Sequence, residues 1–340
     1  MNLVRAELER LTARRFVQLM VVLLVLAFGV TAATTLAGSH KPTAAELSDA
    51  RDQAADMRRN MEYTYQQCVV QRSGDVPSIV GGENFPADCS EIDPARQDRL
   101  PIAADFLPGV FNFAEQAEPL LYFLIAFLML FGFLVGASYI GADLNSGGVV
   151  NLLLWRPRRL TVLGTKLGTL LGTVLVLALA ASVVYLATFW TIGQTAGMPG
   201  QKLGGDFWRP LGDLYARGMV LVLLAAVLGF AIATLGRHTS AALGAVAAYA
   251  VLWELGGRLV LEIVDAPRPD RLVLSTHIGV WLNGDAQFWD SQPCAGGNGG
   301  GPLCEGYYTL TSGSSLVVLL VLTGGLTAAA FAAFNRRDLI

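Results

Sequence analysis

The sequence predicts an all-α integral membrane protein: six transmembrane helices, both termini cytoplasmic, and a mostly helical extracytoplasmic insertion between helices 1 and 2. Three observations carry this. Of the 340 residues 53% are hydrophobic and only 15% charged, with a mean hydropathy of +0.49, outside the balance of a soluble domain. Apolar runs close to the roughly 20 residues that cross a bilayer as helix occupy 16–38, 119–141, 167–193, 213–235, 241–264 and 314–334, and four of the six contain no Asp, Glu, Lys or Arg. Basic residues gather at alternate ends of these runs, as they do on the cytoplasmic side of membrane helices.

Residues 1–15 hold an amphipathic stretch, NLVRAELERLTARRF, whose Arg5, Arg10, Arg14 and Arg15 precede the first span. A cleaved signal peptide at 16–38 is disfavoured, because the apolar run is longer than a typical signal core and the basic stretch before it is long. Residues 39–118 carry 7 Lys+Arg against 14 Asp+Glu between His40 and Glu118, which suits a translocated segment. The segment opens with AAELSDARDQAADMRRNMEYTYQQCVV, free of Gly and Pro from Thr43 to Val70, so a helix is expected there, continuing span one outward. SGDVPSIVGGENFPADC then reads as loop.

After the second span comes a connector, 142–166, with Arg156, Arg158, Arg159 and Lys166. The third span leads to an outer loop, 194–212, and the fourth to a short turn, 236–240, with Arg237. The fifth is followed by a second outer segment, 265–313, and the sixth by the tail 335–340 with Arg336 and Arg337. Within 265–313, DRLVLSTHIGVWLNGDAQFW suggests a short interfacial or re-entrant helix before the glycine-rich CAGGNGGGPLC. Trp190, Trp208, Trp281 and Trp289 suit interfacial belts at the outer face. All four cysteines fall in the two outer segments; of three pairings, the local ones, Cys68–Cys89 and Cys294–Cys304, rearrange the chain least. Metal binding is disfavoured, since no CxxC spacing occurs and His277 is the sole other soft ligand near the second pair.

Two constellations stand out. The connector begins polar at Asp143, turns apolar at Val149, Val150, Leu152, Leu153, Leu154 and Trp155, and meets Pro157, which discourages helix through Arg156. A short surface helix ending in a basic corner of Arg156, Arg158 and Arg159 is expected; alternatively these arginines only anchor span three. In span five, Glu254, Arg258 and Glu262 follow at four-residue spacing and line one helical face. Arg217 of span four falls at a similar depth, and the four together are formally neutral, as charges within a membrane need to be. They are expected to form one network, either a structural clamp or a lining of the substrate route. Gly164, Gly168 and Gly172, also four apart, suggest close helix packing.

The connector resembles that of the ABC-2 type permeases: an acidic residue after the second span (Asp143), a small-residue pair (Gly147, Gly148), an apolar stretch, a Pro-Arg-Arg turn (Pro157, Arg158, Arg159) and a lysine opening the third span (Lys166). The N-terminal stretch is similar to that family's elbow helix, and FNRRDL resembles the close of many such chains. The resemblance spans the whole length. Departures from the pattern are the long 39–118 segment and Asp143, where glutamate is usual.

The resemblance implies a permease subunit of an ABC exporter in which a separate ATPase dimer docks beneath the membrane. It makes 142–166 a coupling loop, with Asp143, Leu152, Leu153, Trp155, Arg156, Arg158 and Arg159 facing the ATPase. Implied partners are that P-loop ATPase dimer, a second permease subunit, identical or paralogous, and membrane lipids. ATP and Mg belong to the ATPase, because the chain has no GxxxxGK[ST]; no cofactor, metal or nucleic acid is expected on this chain. A lipid, peptide or antibiotic is the expected cargo.

Catalysis by this chain is not expected: there is no HExxH or GxSxG, and His40, His238 and His277 fall in loops or at span ends. An ion-coupled carrier, or a sensor or scaffold with an outer domain, is the alternative, although no inverted repeat is visible. Arg outnumbers Lys 21 to 3, which hints at a GC-rich bacterium and its plasma membrane.

Overall fold

Thr12 closes the first helix with its own side chain: its hydroxyl donates to the Leu8 carbonyl at 3.0 Å, while the Gln18 amide reaches back to the Thr12 carbonyl at 3.1 Å. Helix α1 (Leu3–Thr12) thus ends before Arg14, and α2 (Arg15–Ala37) starts afresh. The computed structural model describes residues 3–73, 85–86, 88–97, 99–146, 148, 158–200, 204–264, 266, 268–290 and 306–336. Six helices are long and apolar enough to cross a membrane, the make-up of a multi-pass α-helical membrane protein. They are α2, α4 (Phe113–Asn145), α5 (Arg159–Thr195), α6 (Gly205–Gly236), the composite Thr239–Ile263 and α10 (Ser312–Arg336). Each contains one of the six runs read from the sequence almost entirely, and α4, α5 and α6 extend beyond them by a turn or more.

The contacts divide into two units. The first holds residues 1–28, 118–185 and 204–340. Its tightest helix contact is between α4 and α6. A Cβ built on Gly136 would lie 2.3 Å from the Ala226 carbonyl oxygen, and one on Gly229 would lie 2.2 Å from that of Phe133. The close-packing glycines are therefore these, and the stripe Gly164, Gly168, Gly172 on α5 faces nothing within 4 Å among the described residues. Four-residue spacing marks a helix face that permits close approach; it does not say that a neighbour of the same chain approaches it.

The fifth span is not one regular helix. It runs as α7 (Thr239–Tyr249), a π-helical segment Ala250–Gly257, and α8 (Arg258–Ile263). Such a wide turn stacks residues five apart, and the Tyr249 hydroxyl donates to Glu254 at 2.9 Å. Beyond it, α9 (Leu274–Asn283) is the short helix expected within 265–313. Strand β3 (Ala286–Asp290) then pairs antiparallel with β4 (Gly306–Leu310), in register Phe288 with Tyr308. That hairpin was not anticipated, since its strands flank the glycine-rich stretch at a distance. Cys294 and Cys304 lie outside the described residues.

The second unit holds residues 29–117 and 186–203. Its long helix, α3 (Ala44–Ser73), coincides with the Gly- and Pro-free stretch, but it is a separate helix and not the expected continuation of span one, since α2 ends at Ala37 and Gly38 and Pro42 lie between them. Thr43 and Glu46 form a reciprocal cap: the Thr43 N–H and hydroxyl donate to Glu46 at 2.7 and 2.9 Å, and the Glu46 N–H donates to the Thr43 hydroxyl at 3.3 Å. These bonds hold the Glu46 carboxyl below its ordinary pKa. Cys68 and Cys89 are joined in a disulfide. Ala50, Ala103 and Leu107 form a small core, against which Leu47, Phe106, Val110 and Met198 lie. A two-residue parallel pairing joins Phe111–Asn112 (β1) to Gly197–Met198 (β2). At Gly197 only hydrogen fits, because a Cβ would meet the Phe111 carbonyl oxygen at 2.2 Å.

Candidate functional site

The amphipathic α1 buries a charge. Glu7 and Leu11, four apart and so on one face, are both sealed from solvent at 1% and 0% exposure. On α4, Tyr139 and Asp143 are likewise four apart, at the end that enters the connector. Lys166 lies about two turns into α5 and is 1% exposed. These elements converge on one cluster.

Lys166 Nζ donates to Glu7 Oε2 at 2.6 Å and to Asp143 Oδ2 at 2.7 Å, and it sits 4.9 Å from the centre of the Tyr139 ring. The Tyr139 hydroxyl donates to Glu7. From the break between α1 and α2, Arg14 pairs with Asp143 and donates to the Ser138 carbonyl at 3.2 Å. Its guanidinium lies 5.1 Å from the same ring. Arg10, half exposed, reaches Glu7 Oε1 at 3.3 Å.

The four enclosed charges, Glu7, Asp143, Arg14 and Lys166, sum to zero, and every carboxylate oxygen has a donor. That completeness is what allows burial, since an ion stripped of water without partners costs several kcal/mol. The cluster joins α1, the last turns of α4 and the first turns of α5. Both flanks of the connector are therefore bonded to each other and to the amphipathic helix. Such a cluster acts mechanically: displacing one helix end draws on the other two.

Of the residues singled out in the connector, Asp143 is at the centre of this cluster. Arg158 is exposed just before α5. Arg159 opens α5 and donates to the Asn335 carbonyl at 3.3 Å. Leu152, Leu153, Trp155 and Arg156 lie outside the described residues. Glu7 and Tyr139 escaped the sequence reading, though a glutamate on the apolar stripe of an amphipathic helix was a visible signal.

The second constellation is not one network. Arg217 donates to the Trp281 carbonyl at 3.4 Å, receives the Trp281 indole N–H on its own carbonyl at 3.0 Å, and stacks 5.8 Å from that ring. Glu254 accepts from the Ser275 N–H at 3.0 Å and its hydroxyl at 2.9 Å. Arg258 and Glu262, both more than half exposed, pair only with each other at 3.6 Å among the described residues. Glu254 is taken up instead by the N-terminus of α9, where a carboxylate caps the free N–H groups.

What Arg217 and Glu254 share is α9. Glu254 holds its first turn, Arg217 holds Trp281 near its end, and the Tyr122 hydroxyl bonds Asn283. His277 is buried between the Arg271 carbonyl (3.0 Å) and the Ser315 hydroxyl (3.2 Å) at the head of α10. A short polar-ended helix is thus fastened to four different spans. Neither a family model, nor a curated protein, nor a solved structure matches this chain.

Proposed function

We propose that the chain is the transmembrane permease subunit of an ATP-driven, ABC-2 type exporter in a bacterial plasma membrane. It pairs with a second permease subunit, keeps both termini in the cytoplasm and takes its energy from a separate P-loop ATPase dimer. The observation that supports this best is the buried cluster around Lys166 and Asp143. A connector that receives a push must be stiff at both roots, and here the end of α4, the start of α5 and α1 are cross-bonded at that point. A rigid-body displacement applied between Asn145 and Arg159 would pass into both spans at once. The cargo, a lipid, peptide or antibiotic, enters this reading only through the family resemblance.

The test is purification of the tagged chain from its native membrane in mild detergent, with identification of whatever accompanies it in equal copy number. A P-loop ATPase is expected. Its absence from a preparation shown to be intact would transfer the function to an ion-driven carrier or a sensor. With the ATPase in hand, replacing Leu153 and Trp155 by glutamate should leave the permease inserted and abolish transport-linked ATP hydrolysis; unchanged transport would remove the connector from the mechanism.

A further inference from the structure

Gly141 lies on α4 between Tyr139 and Asp143 of the buried cluster, and it is also where α4 meets the start of span five. A Cβ built on it would lie 2.5 Å from the Thr239 nitrogen and 2.7 Å from the Thr239 hydroxyl oxygen. Only hydrogen fits there. The connector end of α4 therefore bears directly on the first residue of α7.

Beyond that contact, span five stands clear of the bundle. Every residue from Leu243 to Trp253 is exposed, whereas α4 and α6 meet backbone to backbone at Gly136 and Gly229. The span is nonetheless one continuous rod, because Tyr249, Ala250, Gly257 and Arg258, at its two internal junctions, all keep right-handed helical backbone. From Thr239 to Glu254 it reaches about 20 Å along a helix.

Its far end is fastened to the start of α9. Glu254 accepts from the Ser275 N–H and hydroxyl at 3.0 and 2.9 Å. The Tyr249 hydroxyl accepts from the Leu274 N–H at 3.2 Å, and the Trp253 indole donates to the Leu272 carbonyl at 2.9 Å. The other end of α9 belongs to the packed helices: Tyr122 of α4 bonds Asn283, and Arg217 of α6 bonds Trp281. Between the two, His277 is tied to Ser315 of α10 at 3.2 Å. So α9 bridges a packed block and a helix that stands apart from it. A rigid helix held at its two ends passes on a shift or tilt received at one of them, since no neighbour along its length takes up the movement.

We propose that span five is a strut between the connector root and α9: a displacement of α4 at Gly141 shifts Thr239, and the strut delivers that shift to Ser275, tilting α9 about its Trp281–Asn283 end. The buried cluster and the charges of span five are thereby parts of one device. This inference does not rest on the transport reading, because it requires only that the two ends of span five be coupled.

The experiment is site-resolved hydrogen exchange of the full chain in detergent. Gly141→Ala puts a methyl against Thr239 and should raise exchange of the Ser275 amide severalfold, up to the roughly fivefold expected from loss of the Glu254 cap itself. Exchange near Trp281, which α6 holds directly, should stay within about twofold of the wild type. Coupling between two sites is reciprocal, so Glu254→Ala should in turn raise exchange of the Ala241 amide, which donates to the His238 carbonyl at 3.2 Å at the start of α7. That second measurement decides the matter even if Gly141→Ala does not fold. An unchanged Ser275 amide in folded Gly141→Ala, or an unchanged Ala241 amide in Glu254→Ala, overturns the proposal. So does an equal rise at Ser275 and Trp281, which is a general loosening of the fold and not transmission along the strut.

Discussion

Lys166 and Glu7 stand 159 residues apart in the chain and meet at 2.6 Å, each with about 1% of its side chain exposed. The pair is the point where the amphipathic helix α1 is attached to the root of α5. Because Asp143 takes the second proton of Lys166, the same ammonium also ties α5 to α4. A buried ion pair contributes little net stability over an apolar pair of the same shape, whereas half of one is strongly destabilising. The cluster therefore specifies position more than it adds strength.

Lys166→Met should accordingly cost about 3–5 kcal/mol, because the buried Glu7 would keep only the half-exposed Arg10 and the Tyr139 hydroxyl, and Asp143 only Arg14. The double variant Glu7→Gln, Lys166→Met keeps the remaining charges balanced and should recover most of that loss. Arg10→Ala removes a half-exposed partner of Glu7 and should cost less than about 1 kcal/mol. Retention of the monodisperse peak after heating, read by fluorescence-detected gel filtration, checks all three. A Lys166→Met protein as heat-resistant as Arg10→Ala would mean that the cluster is not sealed from water.

The glycines of α4 and α5 should behave oppositely. Gly136→Ala drives a methyl into the Ala226 carbonyl and should destabilise by about 1–3 kcal/mol through forced separation of α4 and α6. Gly168→Ala meets nothing among the described residues and should be neutral, or stabilising by up to about 1 kcal/mol through helix propensity. The same heating assay ranks them, and a damaging Gly168→Ala would show that α5 has an intimate partner.

The spans were legible because bilayer thickness dictates their length: Arg15–Ala37 and Ser312–Arg336 fall within two residues of their apolar runs. The α3 helix was legible from its composition and lack of breakers. Lys166 and Asp143 drew notice in their order along the chain, but their meeting with Glu7 did not, because nothing local to Glu7 encodes a partner 159 residues away. Arg217 was grouped with Glu254, Arg258 and Glu262 on its depth, similar to that of Arg258, and on their charge balance. That Glu254 caps α9 leaves no mark in residue spacing, because the N–H it binds belongs to a helix 21 residues further along the chain.

Acid should loosen the start of α3 in a defined window. Glu46 has its pKa lowered from 4.5 by the Thr43 backbone N–H first and the Thr43 hydroxyl second. A folded pKa below the unfolded one means that the cap is fully effective above about pH 4.5 and fades as pH falls through the lowered value. Hydrogen exchange at the Leu47 amide, corrected for intrinsic rates, should accelerate only below that point. Thr43→Ala, which removes the hydroxyl, should shift the onset upward; an onset unmoved by Thr43→Ala would assign the shift to other groups.

Arg217 and Glu254 offer the sharpest test of how the charges of the fourth and fifth spans are used. If they neutralised each other, Arg217→Gln would strand Glu254 and a second change, Glu254→Gln, would restore stability. The structure predicts the reverse. Each residue fastens a different end of α9, so Arg217→Gln should raise exchange near Trp281, and Glu254→Ala should raise it at Ser275 with a cap loss of about 1 kcal/mol. Combining Arg217→Gln with Glu254→Ala should release the helix further than either alone. Site-resolved hydrogen exchange in detergent reads both ends at once. Mutual rescue, in the combination with Glu254→Gln, would reinstate a direct pair; additive loosening places both charges in the service of a helix that lies between them.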